Sequence, residues 1–202
     1  PPKMPETRIA EVLKNYPLQV DLNNHPFTVR PMTPDDGPEM LAFASELPQH
    51  DILFMRRDIT TQEGINKWVD NLERGIIYSI LAEDAHGICG YSTIHLNDLE
   101  WSQHVAEVRV TTSERARGYG LGRLLTREAF NIALSLGIEK LVARMTTDQT
   151  AARELFHELG FHNEALLKDH VKDRNGELHD LLLMACDVQM FLSTRNAYGV
   201  VN

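Results

Sequence analysis

Six consecutive residues, Arg117-Gly118-Tyr119-Gly120-Leu121-Gly122, combine three glycines with a cation, and Arg115 and Arg123 stand on either side. A glycine-rich turn that leads from a strand into a helix is a natural anion site. The first helical N–H groups have no intrahelical partner, and the macrodipole adds partial positive charge at that end. Glycine lets the backbone approach a ligand without side-chain obstruction. The chemistry this suits is the binding of a pyrophosphate. Upstream on the same segment, His104 and Glu107 are groups able to take a proton. They lie three residues apart, so a regular strand turns them to opposite faces.

Two familiar phosphate-binding readings do not fit. A P-loop needs a Lys followed by Ser or Thr after its glycines, and none follows Gly122. A dinucleotide fingerprint needs GxGxxG early in a βαβ unit, whereas GxGxG here follows several strands joined by hairpins.

The elements around the turn must hold it in place. Apolar spacing in residues 6–16 predicts a short amphipathic helix, and residues 26–33 alternate as a first strand. Helices follow from Pro34 through EMLAFASEL and over about 60–74, separated by HDILFMRRD with its paired Arg56 and Arg57. Strands at 76–84 and 87–96 form a hairpin across Asp84-Ala85-His86-Gly87, and 104–112 is the strand that enters the glycine turn. The next helix presents Leu121, Leu124, Leu125, Ala129, Ile132, Ala133 and Leu136 on one face and stops at Gly137. A strand at 140–146 and a helix at 149–159 precede a final hairpin around Asn175-Gly176. The expected architecture is one α+β domain over 26–188, with an N-terminal extension at 1–25 and a tail at 189–202.

Composition narrows the function. The net charge of −9 argues against a broad nucleic-acid surface, because phosphate binding is driven by clustered Lys and Arg. No run reaches the roughly 18 apolar residues of a membrane helix, and PPKMPETRIAEVL lacks the order of a secretory signal, so a cytoplasmic location is expected. The two cysteines, Cys89 and Cys186, lie in apolar stretches without zinc-ligand spacing and read as buried hydrophobes. No metal is expected.

The segment VTTSERARGYGLGRLL resembles the Arg/Gln-x-x-Gly-x-Gly/Ala pattern of the GNAT superfamily of acyl-CoA N-acyltransferases, with Arg117, Gly120 and Gly122 in the fixed places. Residues 148–161, DQTAARELFHELGF, resemble that family's Asn-x-x-Ala-x-x-Leu-Tyr-x-x-x-Gly-Phe helix. The resemblance implies a mixed, mostly antiparallel sheet with helices on both faces and a V-shaped splay between the strands at 104–112 and 140–146. It implies acetyl-CoA as cosubstrate, with contacts from Val110, Thr112, Arg117, Gly118, Tyr119, Gly120, Leu121, Gly122, Arg123, Gln149, Ala152 and Phe156. AEVRVTTSERARGYGLG and VARMTTDQ are further similar to segments of bacterial Pat-type protein-lysine acetyltransferases, whose catalytic glutamate falls at Glu107.

Acetyl transfer needs a neutral amine. Deprotonating a lysine of pKa ~10.4 costs roughly 4–5 kcal/mol at pH 7, and an α-amine of pKa ~8 only about 1 kcal/mol. Glu107 is the first choice of base and His104 the second, at the place where histone-type enzymes carry their glutamate. The family's usual general acid is a tyrosine, and Phe156 stands in its position, as Gln149 does for the asparagine. The expected function is therefore N-acetylation of an amine, either a small molecule or a protein lysine, with a homodimer left open. A non-catalytic acyl-CoA-binding module is the alternative that Phe156 favours. Arg56 and Arg57 would either bind an acceptor carboxylate or stand solvated. His170, Asp173, His179 and Asp180 could line the opposite wall.

Overall fold

The computed structural model describes residues 5–53 and 55–197. In chain order, α1 (Pro5–Leu13) is followed by a hairpin of β1 (Leu18–Leu22) and β2 (His25–Pro31). Next come α2 (Gly37–Glu46), the single turn α3 (Gln49–Ile52), α4 (Gln62–Glu73), β3 (Ile77–Asp84) and β4 (Gly87–Leu96). The second half holds β5 (Val105–Thr112), α5 (Leu121–Ser135), β6 (Lys140–Thr146), α6 (Thr150–Glu158), β7 (His162–Lys172), β8 (Leu178–Asp187) and α7 (Val188–Ala197).

All eight strands join one sheet in the order β1-β2-β3-β4-β5-β6-β8-β7. Every neighbouring pair is antiparallel except β5 with β6, which is parallel. The alternation of β3 and β4, switched by a bulge that leaves Cys89 unpaired in the ladder, divides their side chains between two apolar layers. Ile80, Ala82, Cys89 and Ile94 join Leu121, Leu125, Ala129 and Ile132 of α5 on one face. Ile77, Leu81 and Tyr91 join Met40 and Phe43 of α2 and Ile65 and Trp68 of α4 on the other. The mixed α+β sheet with helices on both faces is thus present. The predicted face of α5 is buried as expected, apart from a half-buried Leu136, and Gly137 ends the helix region at φ +77°.

Three elements were not expected. β1 comes from the stretch assigned to an extension, and it pairs with β2 through Asn23-Asn24, both at positive φ (52° and 63°). Asparagine tolerates the left-handed region, so two of them make the tight turn that glycine usually marks. The turn α3 overlaps the start of HDILFMRRD, too short for a helical period to show. Helix α7 covers most of the assigned tail, and its Phe191 stacks on Phe130 at 3.9 Å between ring centroids.

Both cysteines are buried thiols. Burial pushes Cys89 up to about 12 and Cys186 up to about 11, so neither is a ready thiolate. No described helix is long and apolar enough to cross a membrane.

Candidate functional site

The defining irregularity of the sheet lies between β5 and β6. Only Val105, Ala106 and Glu107 pair with β6, opposite Lys140, Leu141 and Val142. Beyond Glu107 the strands part: residues 108–112 stay bonded to β4 and residues 143–146 to β8. The gap is a cleft of about 540 Å³ lined by both strands, Arg117, Gly122 and one side of α6. The V-shaped splay expected between the strands at 104–112 and 140–146 is present.

The glycine turn stands at the mouth of this cleft. Gly118 and Gly120 both hold φ +86°, a conformation that L side chains rarely adopt. Gly120 is the N-cap of α5 and offers no side-chain cap, and the first turn carries no acidic residue. The leading N–H groups of α5 are therefore without a protein partner from a capping side chain. A Cβ on Gly122 would stand 3.3 Å from Leu155, so glycine there also lets α5 and α6 approach.

The side chains in this turn divide by role. Leu121 is buried in the core, and Tyr119 packs against His25 at 4.6 Å and Phe27 at 6.1 Å. Neither side chain lines the cleft. Arg115 is tied to Asp84 and leans on the carbonyls of Gly87 and Ile88. Arg117 pairs with Asp51 of α3, and Arg123 with Glu158 of α6. Val110, Thr112, Gln149, Ala152 and Phe156 all line the cleft. The Gln149 side-chain Oε1 accepts from the Thr146 N–H at 3.0 Å, which closes the turn from β6 into α6. Phe156 is buried and meets Phe161 edge-on at 4.9 Å.

On the face toward α2 and α4, a second, smaller cavity of about 70 Å³ meets the cleft at Arg109, which lines both. Its floor is apolar, with Trp68, Ile77 and Tyr91, and the segment carrying Met55, Arg56, Arg57 and Ile59 covers it. Glu107 lies here, at the last paired position before the splay. It accepts from Arg56 at 2.7 Å, and Arg144 stands 3.6 Å away. His104 is exposed just before β5, where its carbonyl accepts from the N–H groups of Glu139 and Lys140. Its side chain lines neither cavity. Glu107 and His104 are not brought together.

Two ionisable side chains of the smaller cavity escaped sequence reasoning, His95 and Arg109. His95 is paired opposite Glu107 on β4. Its Nδ1 lies 3.0 Å from the Leu96 carbonyl, which can only accept, so in the neutral ring the lone pair belongs to Nε2. Burial, together with the charges of Arg56 and Arg57, pushes His95 below the usual histidine range against the opposing pull of Glu107. The signal for both residues was present as alternation: Tyr91, Thr93 and His95 share a face, as do Glu107 and Arg109.

The final hairpin bends toward this region, since Arg174 lies 3.7 Å from Asp58 in the covering segment. Asp173 accepts from His179 and from the N–H groups of Asn175 and Glu177, so its role is to hold the hairpin turn. Asp180 likewise accepts from the Asp169 N–H at 2.8 Å.

A cleft with an uncapped helix N-terminus at its mouth and free strand edges along its walls fits an elongated ligand with a pyrophosphate and amide groups. Comparison with known proteins agrees. The profile of the acetyltransferase (GNAT) family matches residues 42–161, more than half of the chain. Among solved structures, a ribosomal-protein-alanine N-acetyltransferase from Brucella melitensis is 26% identical, with a TM-score of 0.68 over 79% of this chain and 98% of that one. A GNAT-family acetyltransferase from Streptococcus pneumoniae is 24% identical, with a TM-score of 0.67 over 80% and 99%. The Salmonella typhimurium protein yncA, solved with its cofactor acetyl-CoA, shares the fold at 19% identity, with a TM-score of 0.70 over 80% and 94%. No curated protein sequence matches closely enough to add to these. The chain belongs to the GNAT family of acetyltransferases, whose acyl donor is acetyl-CoA.

Proposed function

We propose that this protein transfers the acetyl group of acetyl-CoA to a primary amine by direct attack, with Glu107 as general base. The observation that carries the reading is the position of Glu107, at the last paired residue before β5 and β6 part, in a cavity that meets the cleft.

On the donor side, N–H groups from residues 118–123 and the Arg117 side chain hold the pyrophosphate. Exposed strand backbone at Val110 and Thr112 pairs with the pantetheine amides, and Gln149, Ala152 and Phe156 form the far wall. When bound, acetyl-CoA supplies a thioester carbonyl for attack. A backbone N–H near Val110 steadies the oxyanion. The amine nitrogen bonds to the carbonyl carbon, its proton passes to the Glu107 carboxylate, and the C–S bond breaks to release the thiolate. Arg56 must slacken its hold on Glu107 as the carboxylate takes that proton. Phe156 has no proton to give, so the thiolate leaves unaided or is protonated by water.

Of the acceptors that the sequence admits, a small amine fits the covered cavity better than a bulky one, while a protein lysine would enter only by its chain end. The test is thiol release from acetyl-CoA across a panel of amines and lysine peptides. Glu107→Gln is expected to lower kcat by about 100- to 1,000-fold, the scale of a positioned general base, with acetyl-CoA affinity unchanged. A variant as fast as the parent would remove Glu107 from the mechanism. The buried Phe156 favours a second reading, a non-catalytic acyl-CoA-binding module. Tight acetyl-CoA binding with no turnover on any acceptor would select it.

A further inference from the structure

The charges around the smaller cavity do not balance. Glu107 is already shared between Arg56 and Arg144. Arg57 has a neutral partner, for the Asn71 amide oxygen, turned toward it, accepts from both terminal nitrogens at 2.9 Å. Burial and the neighbouring Arg56 both work against the charge on Arg57, yet no carboxylate among the described residues offsets it. Arg109 is less satisfied still. Its Nε is buried with no hydrogen-bond partner, and no described carboxylate pairs with its guanidinium.

An unpaired buried N–H on a charged group is costly, on the order of 1–3 kcal/mol, and native proteins rarely leave one without a use. A guanidinium presents two parallel donors that match a carboxylate, which a point charge cannot do. Arg109 also stands where the cavity opens into the donor cleft. It lies two residues beyond Glu107 on the same face of β5, a spacing of about 6.6 Å along a strand. An anion seated on Arg109 would bring groups a few bonds away within reach of both Glu107 and the thioester.

Resting on the reading of this cavity as the acceptor site, we infer that the acceptor is an amine that also carries a carboxylate, an amino acid in the broad sense. The carboxylate docks on the Arg109 fork, Arg57 adds attraction, and the amine is directed to Glu107. The same surplus of positive charge repels polyamines, whose second ammonium would meet guanidiniums without relief.

The test is calorimetric binding to the CoA-saturated protein. The ligands are free α-, β- and γ-amino acids, their amides, the corresponding decarboxylated amines, and spermidine. At least one free acid should bind, and bind about tenfold or more tightly than its amide, with spermidine weaker than either. Arg109→Gln should erase the acid-over-amide preference, a loss of about 10- to 100-fold for the acid alone, the range of a hydrogen bond to a charged group. Arg109→Lys should restore part of it, and Arg57→Gln should cost the acid less. Thermal melting confirms that each variant is folded. If Arg109→Gln does not fold, Arg57→Gln carries the test, and a preference it leaves untouched overturns the inference. So does failure of every acid to bind, an amide or spermidine binding as tightly, or a preference that survives in folded Arg109→Gln. The two readings fail separately. Acids that bind in this pattern without thiol release would sink catalysis and spare the docking site. Glu107-dependent acetylation of amines lacking a carboxylate, with no acid bound, would do the reverse.

Discussion

The two sides of β5 are built by different means. Toward the cleft, the main features are made of backbone: a strand edge released from pairing after Glu107, and the start of α5 held open by glycines at φ +86°. Toward α2 and α4, the smaller cavity is made of side chains drawn from the covering segment, α4, β3, β4 and β5. A backbone site tolerates change in most of its side chains but depends on a few conformations. A side-chain site can be retuned one residue at a time, which suits a surface that must select among amines.

That contrast can be broken most forcefully at Gly120. Gly120→Val forces a branched residue into the left-handed region, at about 1–2 kcal/mol of local strain, and obstructs the approach to the N–H groups. Acetyl-CoA affinity measured by calorimetry should fall by about 30-fold or more, with the acceptor preference unchanged. Equal loss on both sides would mean that the sites are not separable.

His95 tests the other side. Burial and the nearby arginines disfavour its imidazolium, so the ring stays neutral as pH falls through about 6.5 and charges only below that. Any acid limb that His95 imposes on kcat/KM therefore lies below its ordinary range. His95→Asn should remove that limb. A limb that persists belongs to another group.

The smallest effect is expected at Asp51, which holds the half-exposed Arg117 at the mouth of the cleft. Asp51→Asn frees that charge for a phosphate and should tighten acetyl-CoA by roughly two- to fivefold, the scale of an exposed ion pair, with the gain fading in salt. Weaker binding would show instead that Asp51 positions Arg117.

The same division explains what could be read from the chain. The donor side was legible because residues 117–122 are contiguous and their glycines are dictated by backbone geometry. Helix α5 was legible through its period, and the β3–β4 hairpin through its turn. The acceptor side was only half legible. Glu107 and the pair Arg56-Arg57 were singled out, but His95 and Arg109 gain their meaning from register across β4 and β5. Register is a tertiary fact that no local pattern carries. The strand β1 was missed because Asn23-Asn24 does the work of glycine, and α7 because what places it is a tertiary contact, Phe191 stacked on Phe130.

The parted strands carry a further consequence. From residue 108 on β5 and 143 on β6, two sheet edges face each other inside the molecule rather than at its rim. An open edge is a template for foreign strands, and proteins normally blunt or cover one. On the proposed donor pose the cover is the acyl donor itself, whose amides would occupy the place of a missing strand. On that pose acetyl-CoA acts as a guard as well as a reagent, and a purified sample is expected to keep longest with CoA in the buffer.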